Sequence, residues 1–464
     1  GKLGGKSAGL FLAHKILCRV SKEIDLCGEI KLPKTWYISS DGLLNFLHHN
    51  NLEEVIEQKY KEIDQVRQEY PHIIQLFKNS HFSGDIIKGL SLVLDDIGDN
   101  PIIVRSSSLP YNRLGSAFSG KYKSLFLANQ GEKEQRMEQL LDAIAEVYAS
   151  TFGPDPIEYR AFRGLLDFHE EMGIMIQEVV GQKVGRYFLP SFAGVAFSNN
   201  EFRWSPRIKR EDGLLRIVPG LGTRAVDRLS DDYPVLVAPG QPGLQVNITP
   251  DEIFKYSPKK CDVIDLEQNK FVTVLFSELM EDLGENYPAV HKIISIVKDH
   301  HIKQPLGLFD DLNSDEVVVT FNGIFNDGKF LNQMKRILDI LQERLRTPVD
   351  IEFAHDGENF YLLQCRPQNI AEDSIPVPIP QDIPEDRIIF NANRYISNGR
   401  VPDITHIVYV DPAKYAEIED LNTLRLVARA IGKLNKLLPK RRFILMGPGR
   451  WGSRGDIKLG VAVT

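Results

Sequence analysis

The stretch Asp350-Ile-Glu-Phe-Ala-His-Asp-Gly-Glu-Asn-Phe-Tyr-Leu-Leu-Gln-Cys-Arg-Pro367 carries the strongest structural signal in the chain. Short apolar strands are predicted over residues 349–354 and 360–366. Between them, Asp356-Gly357 is a strong turn signal, because glycine readily adopts the positive φ that a tight hairpin turn requires. The stretch therefore predicts a β-hairpin.

This hairpin carries an amide, a guanidinium and a carboxylate. Gln364 and Arg366 are two residues apart, so their side chains share one face of the strand. Glu352 joins that face only if the loop has an odd number of residues, such as Asp356-Gly357-Glu358, whereas a two-residue loop would place it on the opposite face. Oxygen ligands beside an arginine suit Mg²⁺ held against a polyphosphate. A surface hairpin with an exposed ion pair fits this stretch equally well.

Length and composition narrow the classes of protein that fit. The chain has 464 residues, which predicts about two to four domains. Its 42% hydrophobic and 26% charged residues are typical of a globular protein. A net charge of −7 argues against broad binding of nucleic acid or of an anionic membrane. No apolar run approaches the ~20 residues that cross a bilayer, and no secretory signal peptide is visible.

The cysteines and the chain ends add two expectations. The four cysteines are sparse and form no Cys-x-x-Cys pair, so we expect a cytoplasmic, reduced protein without zinc. Because the chain begins at Gly1 and ends in an apolar run at Thr464, we expect it to be part of a longer protein.

The hydrophobic patterns predict a mixed α/β (α+β) chain. Helices are predicted over residues 1–20, 42–95, 131–151, 276–303 and 330–346, and strands over residues 33–39, 101–105, 173–180, 192–198 and 317–321. Residues 371–385 are rich in proline and acidic residues, which predicts a stiff linker. A small separate α/β segment of unknown role is expected over residues 386–464, with strands near 387–391, 406–410 and 442–446 and a helix near 421–438.

A glycine-rich turn opens the chain as Gly4-Gly-Lys-Ser-Ala-Gly-Leu10. A phosphate-binding loop of the Walker type needs a preceding strand and a glycine five places before Gly5, so that interpretation is a minority one. A glycine turn at a helix start still offers backbone N–H groups to an anion, and Lys6 adds a positive charge. An ordinary helix start with flexible glycines is the alternative.

Other segments offer weaker signals. Arg105 ends a predicted buried strand and precedes a long Ser/Gly-rich loop, a combination that suits a phosphate or an ordinary loop. Gln177 and Glu178 interrupt an apolar strand, which could place an adenine edge against backbone amides or could be a plain strand. The segment ending in Gly222-Thr-Arg224 is either a second anion loop or a turn with a solvent-facing arginine.

Taken together and in order, these segments resemble the nucleotide-binding domain of the phosphoenolpyruvate synthase and pyruvate phosphate dikinase family, over residues 1–370. The matching motifs are the opening glycine turn, Val104-Arg-Ser-Ser107 followed by Phe118-Ser-Gly120, Ile174-Met-Ile-Gln177, Gly194-Val-Ala-Phe-Ser198, Gly220-Leu-Gly222 and the hairpin. The resemblance implies an ATP-grasp fold whose two α/β lobes, residues 1–200 and 201–370, close on ATP and Mg²⁺.

The resemblance also implies a role for each matched residue. Phosphates would be held by Lys6, Arg105 and Arg366, which are then the catalytic residues, because phosphoryl transfer depends on positioning and charge neutralisation. The remaining roles would be a phosphate-covering loop with Gly120 and Ser124, an adenine pocket with Gln177 and Glu178, and a magnesium site with Glu352 and Gln364.

The sequence departs from the family pattern at three places. Leu109-Pro-Tyr-Asn-Arg113 stands where the family has an acidic pair, and a long stretch before the hairpin suggests an insertion near residues 225–305. No motif like Thr-Ser-His-Ala-Ala-Ile, which carries the phosphohistidine, is present. We therefore expect a dikinase-type phosphotransferase domain that splits ATP to AMP and donates a phosphoryl group to a histidine on a segment absent from this chain or on another protein.

Two other functions fit the same residues. An ATP-grasp ligase would form an acyl-phosphate and release ADP, and would need a pocket for a carboxylate substrate. A non-catalytic ATP sensor would bind the nucleotide and signal through the C-terminal segment. Product analysis separates the dikinase from the ligase.

Overall fold

The computed structural model describes residues 2–26, 28–108, 122–163, 166–167, 172–226, 232–298, 301–305, 317–368, 383–388, 396–397, 403–439, 442–449, 451 and 461. Within these ranges the helices are α1 (Gly5–Val20), α2 (Asp41–His49), α3 (Ile63–Lys78), α4 (Gly84–Ile97), α5 (Lys133–Ser150), α6 (Pro154–Arg163), α7 (Thr223–Val226), α8 (Pro250–Tyr256), α9 (Phe276–Leu283), α10 (Val290–Ile293), α11 (Asn322–Asp327), α12 (Lys329–Leu345), α13 (Pro412–Ala416) and α14 (Leu421–Leu437).

The strands in the same ranges are β1 (Ile30–Lys31), β2 (Thr35–Ile38), β3 (Ile102–Ser108), β4 (Ser124–Leu127), β5 (Met172–Glu178), β6 (Gln182–Val184), β7 (Tyr187–Leu189), β8 (Phe192–Phe197), β9 (Phe202–Arg203), β10 (Leu214–Pro219), β11 (Val235–Val237), β12 (Lys260–Asp265), β13 (Lys270–Leu275), β14 (Ile294–Lys298), β15 (His301–Lys303), β16 (Val317–Val319), β17 (Val349–His355), β18 (Phe360–Pro367), β19 (Ile396–Ser397), β20 (His406–Tyr409) and β21 (Phe443–Met446). The mixed α/β class that the sequence predicts is confirmed.

The first lobe is built on an antiparallel sheet with the strand order β2-β5-β3-β4. Helices α2 to α5 supply apolar side chains to the core that covers this sheet. In α4 the buried residues are Leu90, Val93, Leu94 and Ile97, a spacing of three and four that lines one face of a helix. This core holds β3 and β5, and so fixes the positions of Arg105 and Gln177.

The second lobe is built on a six-stranded sheet with the order β1-β18-β17-β8-β10-β11. A further sheet, β13-β12-β7-β6, continues the same lobe. The helix α12 buries Met334, Ile337, Leu338 and Leu341 against the sheet at helical spacing. The first helix, α1, also packs into this core rather than into that of the first lobe.

The last strand of the first-lobe sheet along the chain is β5, which ends at Glu178. Strands β6, β7 and β8 pair with strands of the second-lobe sheets, and the lobe boundary near residue 200 stays a prediction. The N-terminal residues of α1 and β1 belong mainly to the second lobe. Most of residues 225–305 form strands and helices that join the second-lobe core.

The helix predicted over residues 276–303 is wrong. Among the residues described there, α9, a 3₁₀ helix at Gly284–Asn286 and the short α10 are helical, and β14 and β15 follow as an antiparallel pair. The run Ile293-Ile-Ser-Ile-Val297 is rich in β-branched residues, which favour a strand. The predicted helix over residues 42–95 is divided into α2, α3 and α4, with a 3₁₀ helix at Glu53–Tyr60.

The C-terminal segment contains a parallel pair, β20 and β21, connected through α13 and α14. A small core around Tyr415, Leu424 and Ile431 joins the helices to the strands. The expected strand near residues 387–391 lies partly outside the described residues, and Arg387 belongs to a 3₁₀ helix. Throughout the ranges that the structure covers, none of the helices has both the length and the apolar character required to cross a bilayer.

Candidate functional site

A cleft of about 1110 Å³ lies between the two lobes. Its walls come from β3, β4 and β5 of the first lobe and from β8, β12, β13, β17 and β18 of the second. Small-molecule sites commonly have volumes of roughly 300–1,000 Å³. The cleft is therefore large enough for a ligand of nucleotide size.

The hairpin of β17 and β18 carries four polar side chains on one face, and two of them, Glu352 and Arg366, line the cleft. Glu352 lies directly opposite Gln364, and Asp350 lies directly opposite Arg366. Because directly opposed residues of an antiparallel pair share a face, all four side chains point the same way. The other face of the hairpin packs into the second-lobe core.

The shared face arises from a β-bulge rather than from the loop. The loop spans residues 356–359, and the carboxylate of Asp356 accepts backbone N–H bonds from Glu358 (2.8 Å) and Asn359 (2.7 Å). The pairing shifts after Glu352, so Leu363 is an extra residue in β18. Neither the three-residue loop nor the two-residue loop that the sequence left open is formed, and the bulge supplies the odd residue instead.

Two glycines allow α1 to lie against the strands that carry the site. A Cβ at Gly4 would overlap the backbone carbonyl of Ser107 in β3, and a Cβ at Gly9 would overlap the carbonyl oxygen of Cys365 in β18. Close approach of this kind requires glycine. As a result, Lys6 is placed between β3 and the hairpin.

The start of α1 is tied to β3 through hydroxyl groups. The backbone N–H of Ser7 donates to Oγ of Ser107 at 3.3 Å, and the two serine hydroxyls are 3.0 Å apart. Nζ of Lys6 donates to Oγ of Ser106 at 3.4 Å. The N–H of Ser7 is therefore already engaged with the protein, and the lysine side chain is the feature of this turn that faces the cleft.

Arg105 connects the first lobe to the hairpin. One terminal nitrogen of its guanidinium donates to Oε2 of Glu352 and to Oε1 of Gln364, the latter at 3.0 Å. Arg105 is 7% exposed and Gln364 is 1% exposed. Within the described residues, Nε of Arg105 and Nε2 of Gln364 are buried without a hydrogen-bond partner. Spare donors at a buried site are uncommon and are typical of a place where a ligand binds.

Positive charge exceeds negative charge around the hairpin. Burial, then the charge of Arg105, lowers the pKa of Lys6 to about 7, while Glu352 opposes this shift. Burial alone would raise the pKa of Glu352, but the charges of Arg105, Arg366 and Lys6 bring it below its usual value. Burial raises the pKa of Asp350 to about 6, although Arg366 acts in the opposite direction. Three basic side chains against two acidic ones suit an anionic ligand.

Arg366 is oriented by its partner on the neighbouring strand. Its Nε donates to Oδ1 of Asp350 at 2.6 Å, which holds the guanidinium at the cleft wall. We refer to the six side chains gathered here as the Arg105 cluster, which comprises Lys6, Arg105, Asp350, Glu352, Gln364 and Arg366.

The other predicted site residues lie along the same cleft. Ser124 pairs with Arg105 across β3 and β4. The side-chain amide of Gln177 donates to Oγ1 of Thr35 at 3.3 Å, and the carboxylate of Glu178 accepts a bond from Asn100 at 2.6 Å. Gly120 lies outside the described residues. The roles of these residues stay predictions.

An apolar wall, which the sequence reasoning missed, lines another part of the cleft. Phe126 of the first lobe and Phe271 of the second stack with their ring centroids 5.3 Å apart and an angle of 21° between the rings. Ile103, Val179 and Leu221 join the same hydrophobic cluster and also line the cleft. Alternating apolar residues over 270–275 predict a strand, but they do not identify the residues that the strand contacts in the other lobe. The sequence therefore does not reveal the contact of Phe271 with Phe126.

A second buried ion cluster, the Arg224 cluster, also faces the cleft. Arg224 is 7% exposed and lies 3.6 Å from Asp232 and 3.5 Å from Asp262, so the interpretation as a solvent-facing arginine is wrong. Asp262 accepts bonds from the hydroxyls of Thr223 and Thr273. Asp232 accepts two backbone N–H bonds, at 2.8 and 2.9 Å. Sequence reasoning missed Asp262 because its partners come from other elements, α7 and β13.

The oxygen atoms of Glu352 and Gln364 could hold a divalent cation. Both lie within hydrogen-bonding reach of the same nitrogen of Arg105, so they converge on one point. Among the residues that the structure describes, no three His, Cys, Asp or Glu side chains come together as metal ligands. Mg²⁺ commonly uses one or two protein oxygens and completes its shell with water and phosphate oxygens. A pair of oxygens beside a cationic cleft fits that pattern.

Comparison with known proteins agrees with the geometry. The family model for the AMP/ATP-binding domain of pyruvate phosphate dikinase matches residues 1–387, which is most of the chain. No curated protein matches the sequence. Among solved structures, PH1788 from Pyrococcus horikoshii Ot3 is 13% identical over 68% of this chain and 99% of its own, with a TM-score of 0.21, a likeness too weak to define a shared fold. The chain therefore belongs to the family of the pyruvate phosphate dikinase AMP/ATP-binding domain.

Proposed function

We propose that this chain is an ATP-grasp phosphotransferase domain of the dikinase type, which binds ATP with Mg²⁺ in the cleft between its lobes. The observation that carries the proposal is the convergence of the Arg105 cluster. Its members come from α1, β3 and the hairpin of β17 and β18, which are distant in sequence. A buried cluster with excess positive charge and spare donors suits a polyphosphate.

The two ends of an ATP molecule fit two different parts of the cleft. Its phosphates would lie against Lys6, Arg105 and Arg366, with Ser124 at the neighbouring strand edge. The base would lie toward the apolar wall and the adjoining Gln177 and Glu178, because aromatic and aliphatic side chains suit a planar ring. Gly120 would belong to the loop that covers the phosphates.

The protein's contribution to the reaction would be electrostatic. The oxygens of Glu352 and Gln364 would hold Mg²⁺, and the cation would neutralise charge on the phosphates when it is bound. Arg366, held in place by Asp350, would donate hydrogen bonds to the terminal phosphate. Lys6 would supply a positive charge close to its partners on β3. Charges that are already in position stabilise the transition state without any rearrangement of the protein during the reaction.

A histidine on another segment or another protein would receive the phosphoryl group. The family assignment supports ATP binding by this domain, and the resemblance to phosphoenolpyruvate synthase motivates the phosphohistidine acceptor. The expected products with an acceptor are AMP and inorganic phosphate. An ATP-grasp ligase would instead leave ADP.

The test is incubation with ATP labelled at the β- or γ-phosphate and with Mg²⁺, with and without candidate acceptor proteins. AMP that forms only with an acceptor, together with label on an acid-labile acceptor histidine, would support the proposal. ADP as the product would contradict the dikinase assignment. Equilibrium binding of a non-hydrolysable ATP analogue is measured in parallel, because failure to bind it would contradict the nucleotide site itself.

A further inference from the structure

The contact between Arg105 and the hairpin has a consequence for the order in which ligands bind. A single guanidinium nitrogen touches the oxygens of both Glu352 and Gln364. These are the two oxygens to which the proposed function assigns the cation, and the inference therefore rests on that function. Magnesium lies about 2.0–2.1 Å from its oxygen ligands. A cation held by both oxygens would need the space that the Arg105 nitrogen occupies.

The cation and the guanidinium therefore exclude each other in this arrangement. The exclusion is steric, because both need the same space between Glu352 and Gln364. It is also electrostatic, since Lys6 and Arg366 lie near the same carboxylate and already make the surroundings positive. Repulsion between like charges is strong where water is scarce, and Glu352 and Gln364 are largely buried.

Arg105 can leave the hairpin only if another anion accepts its hydrogen bonds. Removing one partner from a buried ion pair is strongly destabilising when nothing replaces it. A polyphosphate is such a replacement, because its oxygens accept bonds from guanidinium in a forked geometry. Nε of Arg105 is buried and has no hydrogen-bond partner within the described residues, so it is available for the second branch of that fork.

We propose that Arg105 acts as an exchange residue, which occupies the cation site of Glu352 and Gln364 until a polyphosphate draws its guanidinium away. The nucleotide then binds before the divalent cation or together with it. The cation alone binds weakly, because it must displace a buried arginine that has no other acceptor.

The test measures binding of Mn²⁺, as a probe for Mg²⁺, by electron paramagnetic resonance. The wild-type protein is titrated alone and with a saturating non-hydrolysable ATP analogue. We expect at least a tenfold tighter apparent Kd for Mn²⁺ with the analogue, after correction for Mn²⁺ bound by free analogue. Equal affinity with and without the analogue would overturn the proposal.

Variants sharpen the test. Arg105→Ala should bind Mn²⁺ alone at least tenfold more tightly than wild type, while its affinity for the analogue falls. Arg105→Gln is the second variant, in case the alanine protein does not fold. Arg67→Ala is the matched control, since it also removes one positive charge from the cleft wall but lies away from the hairpin. An unchanged Mn²⁺ affinity in the Arg105 variants, or an equal gain in Arg67→Ala, would contradict the exchange.

The outcomes also separate this inference from the proposed function. If the protein binds neither the analogue nor Mn²⁺, the nucleotide site itself is wrong. If it binds both, but independently of each other, the nucleotide site stands and only the exchange by Arg105 is wrong.

Discussion

The Arg105 cluster and the Arg224 cluster face the same cleft, and each is centred on an arginine that is 7% exposed. They differ in their balance of charge. In the Arg224 cluster, one arginine faces two carboxylates, and hydroxyl and backbone N–H groups also donate to Asp232 and Asp262. In the Arg105 cluster, basic groups outnumber acidic ones. Removing an arginine that balances two buried carboxylates would leave them uncompensated, which indicates a structural role, whereas an excess of positive charge is suited to an anionic ligand.

The largest effect that we expect is the loss of stability when Arg224 is replaced. Arg224→Ala should lower the free energy of unfolding by about 3–5 kcal/mol, because it removes a positive partner from two buried carboxylates. Denaturant unfolding measures this change. The control is Arg67→Ala, whose side chain is 53% exposed and whose loss should change stability by less than about 1 kcal/mol. If both variants lost a similar amount of free energy of unfolding, the structural role assigned to the Arg224 cluster would be wrong.

The next largest effect that we expect is on the rate of ATP turnover when Glu352 is replaced. Glu352→Gln keeps the shape of the side chain but removes the charge, and it should lower ATP turnover by about 10²–10³-fold, as the loss of one key electrostatic group typically does. The labelled-ATP assay measures the change. Asp262→Asn makes the same chemical substitution in the Arg224 cluster, and it should affect stability more than turnover. Equal losses of turnover in the two variants would make the distinction between the clusters untenable.

A smaller effect tests how tightly α1 fits against the hairpin. Gly9→Ala should destabilise the protein by about 1–3 kcal/mol, because its Cβ would overlap the carbonyl of Cys365. Gly89→Ala makes the same change inside α4, where a Cβ has open space, and should stabilise by about 0.5–1 kcal/mol. Thermal unfolding distinguishes the two signs. A neutral or stabilising result for Gly9→Ala would show that α1 does not approach the hairpin so closely.

The smallest effect that we expect is a change in proton binding at Lys6. Its pKa of about 7 lies below the ordinary 10.5, so the folded protein binds fewer protons than the unfolded chain between these values. The destabilising effect of Lys6 is therefore complete below pH 7 and is lifted as the pH rises toward 10.5. A polyphosphate would raise this pKa again, because it places negative charge beside the ammonium.

Nucleotide binding at pH 8 should consequently take up on the order of one proton. Calorimetry in buffers of different ionisation enthalpy measures the uptake. Lys6→Met should reduce it, and Lys123→Met, which changes a lysine elsewhere on the cleft wall, should not. Proton uptake that is the same in all three proteins would show that Lys6 does not contact the anion.

The sequence predicted the local elements better than it predicted their partners. Apolar runs and a turn signal are local properties of the chain. They predict both strands of the hairpin and the strand that ends near Arg105. The bulge at Leu363 does not, because it depends on the pairing of two strands rather than on either one. Asp262 and the stacked Phe126 and Phe271 were missed for the same reason, since each acquires its role from a distant segment.

The sheet to which a strand belongs also depends on distant segments. Residues 182–197 have ordinary strand patterns, and nothing in those patterns specifies which sheet they join. The helix predicted over residues 276–303 is wrong because an apolar stretch with polar neighbours fits both helix and strand periods. The β-branched Ile294, Ile296 and Val297 favour the strand that forms there.

One ion pair joins strands from two separate hydrophobic cores. Arg105 extends from a strand anchored in the core of the first lobe, and Glu352 extends from a strand anchored in the core of the second. A rotation of one core relative to the other would therefore change the distance between these two charges. A ligand that drew Arg105 away from Glu352 would remove one of the contacts that join the two cores.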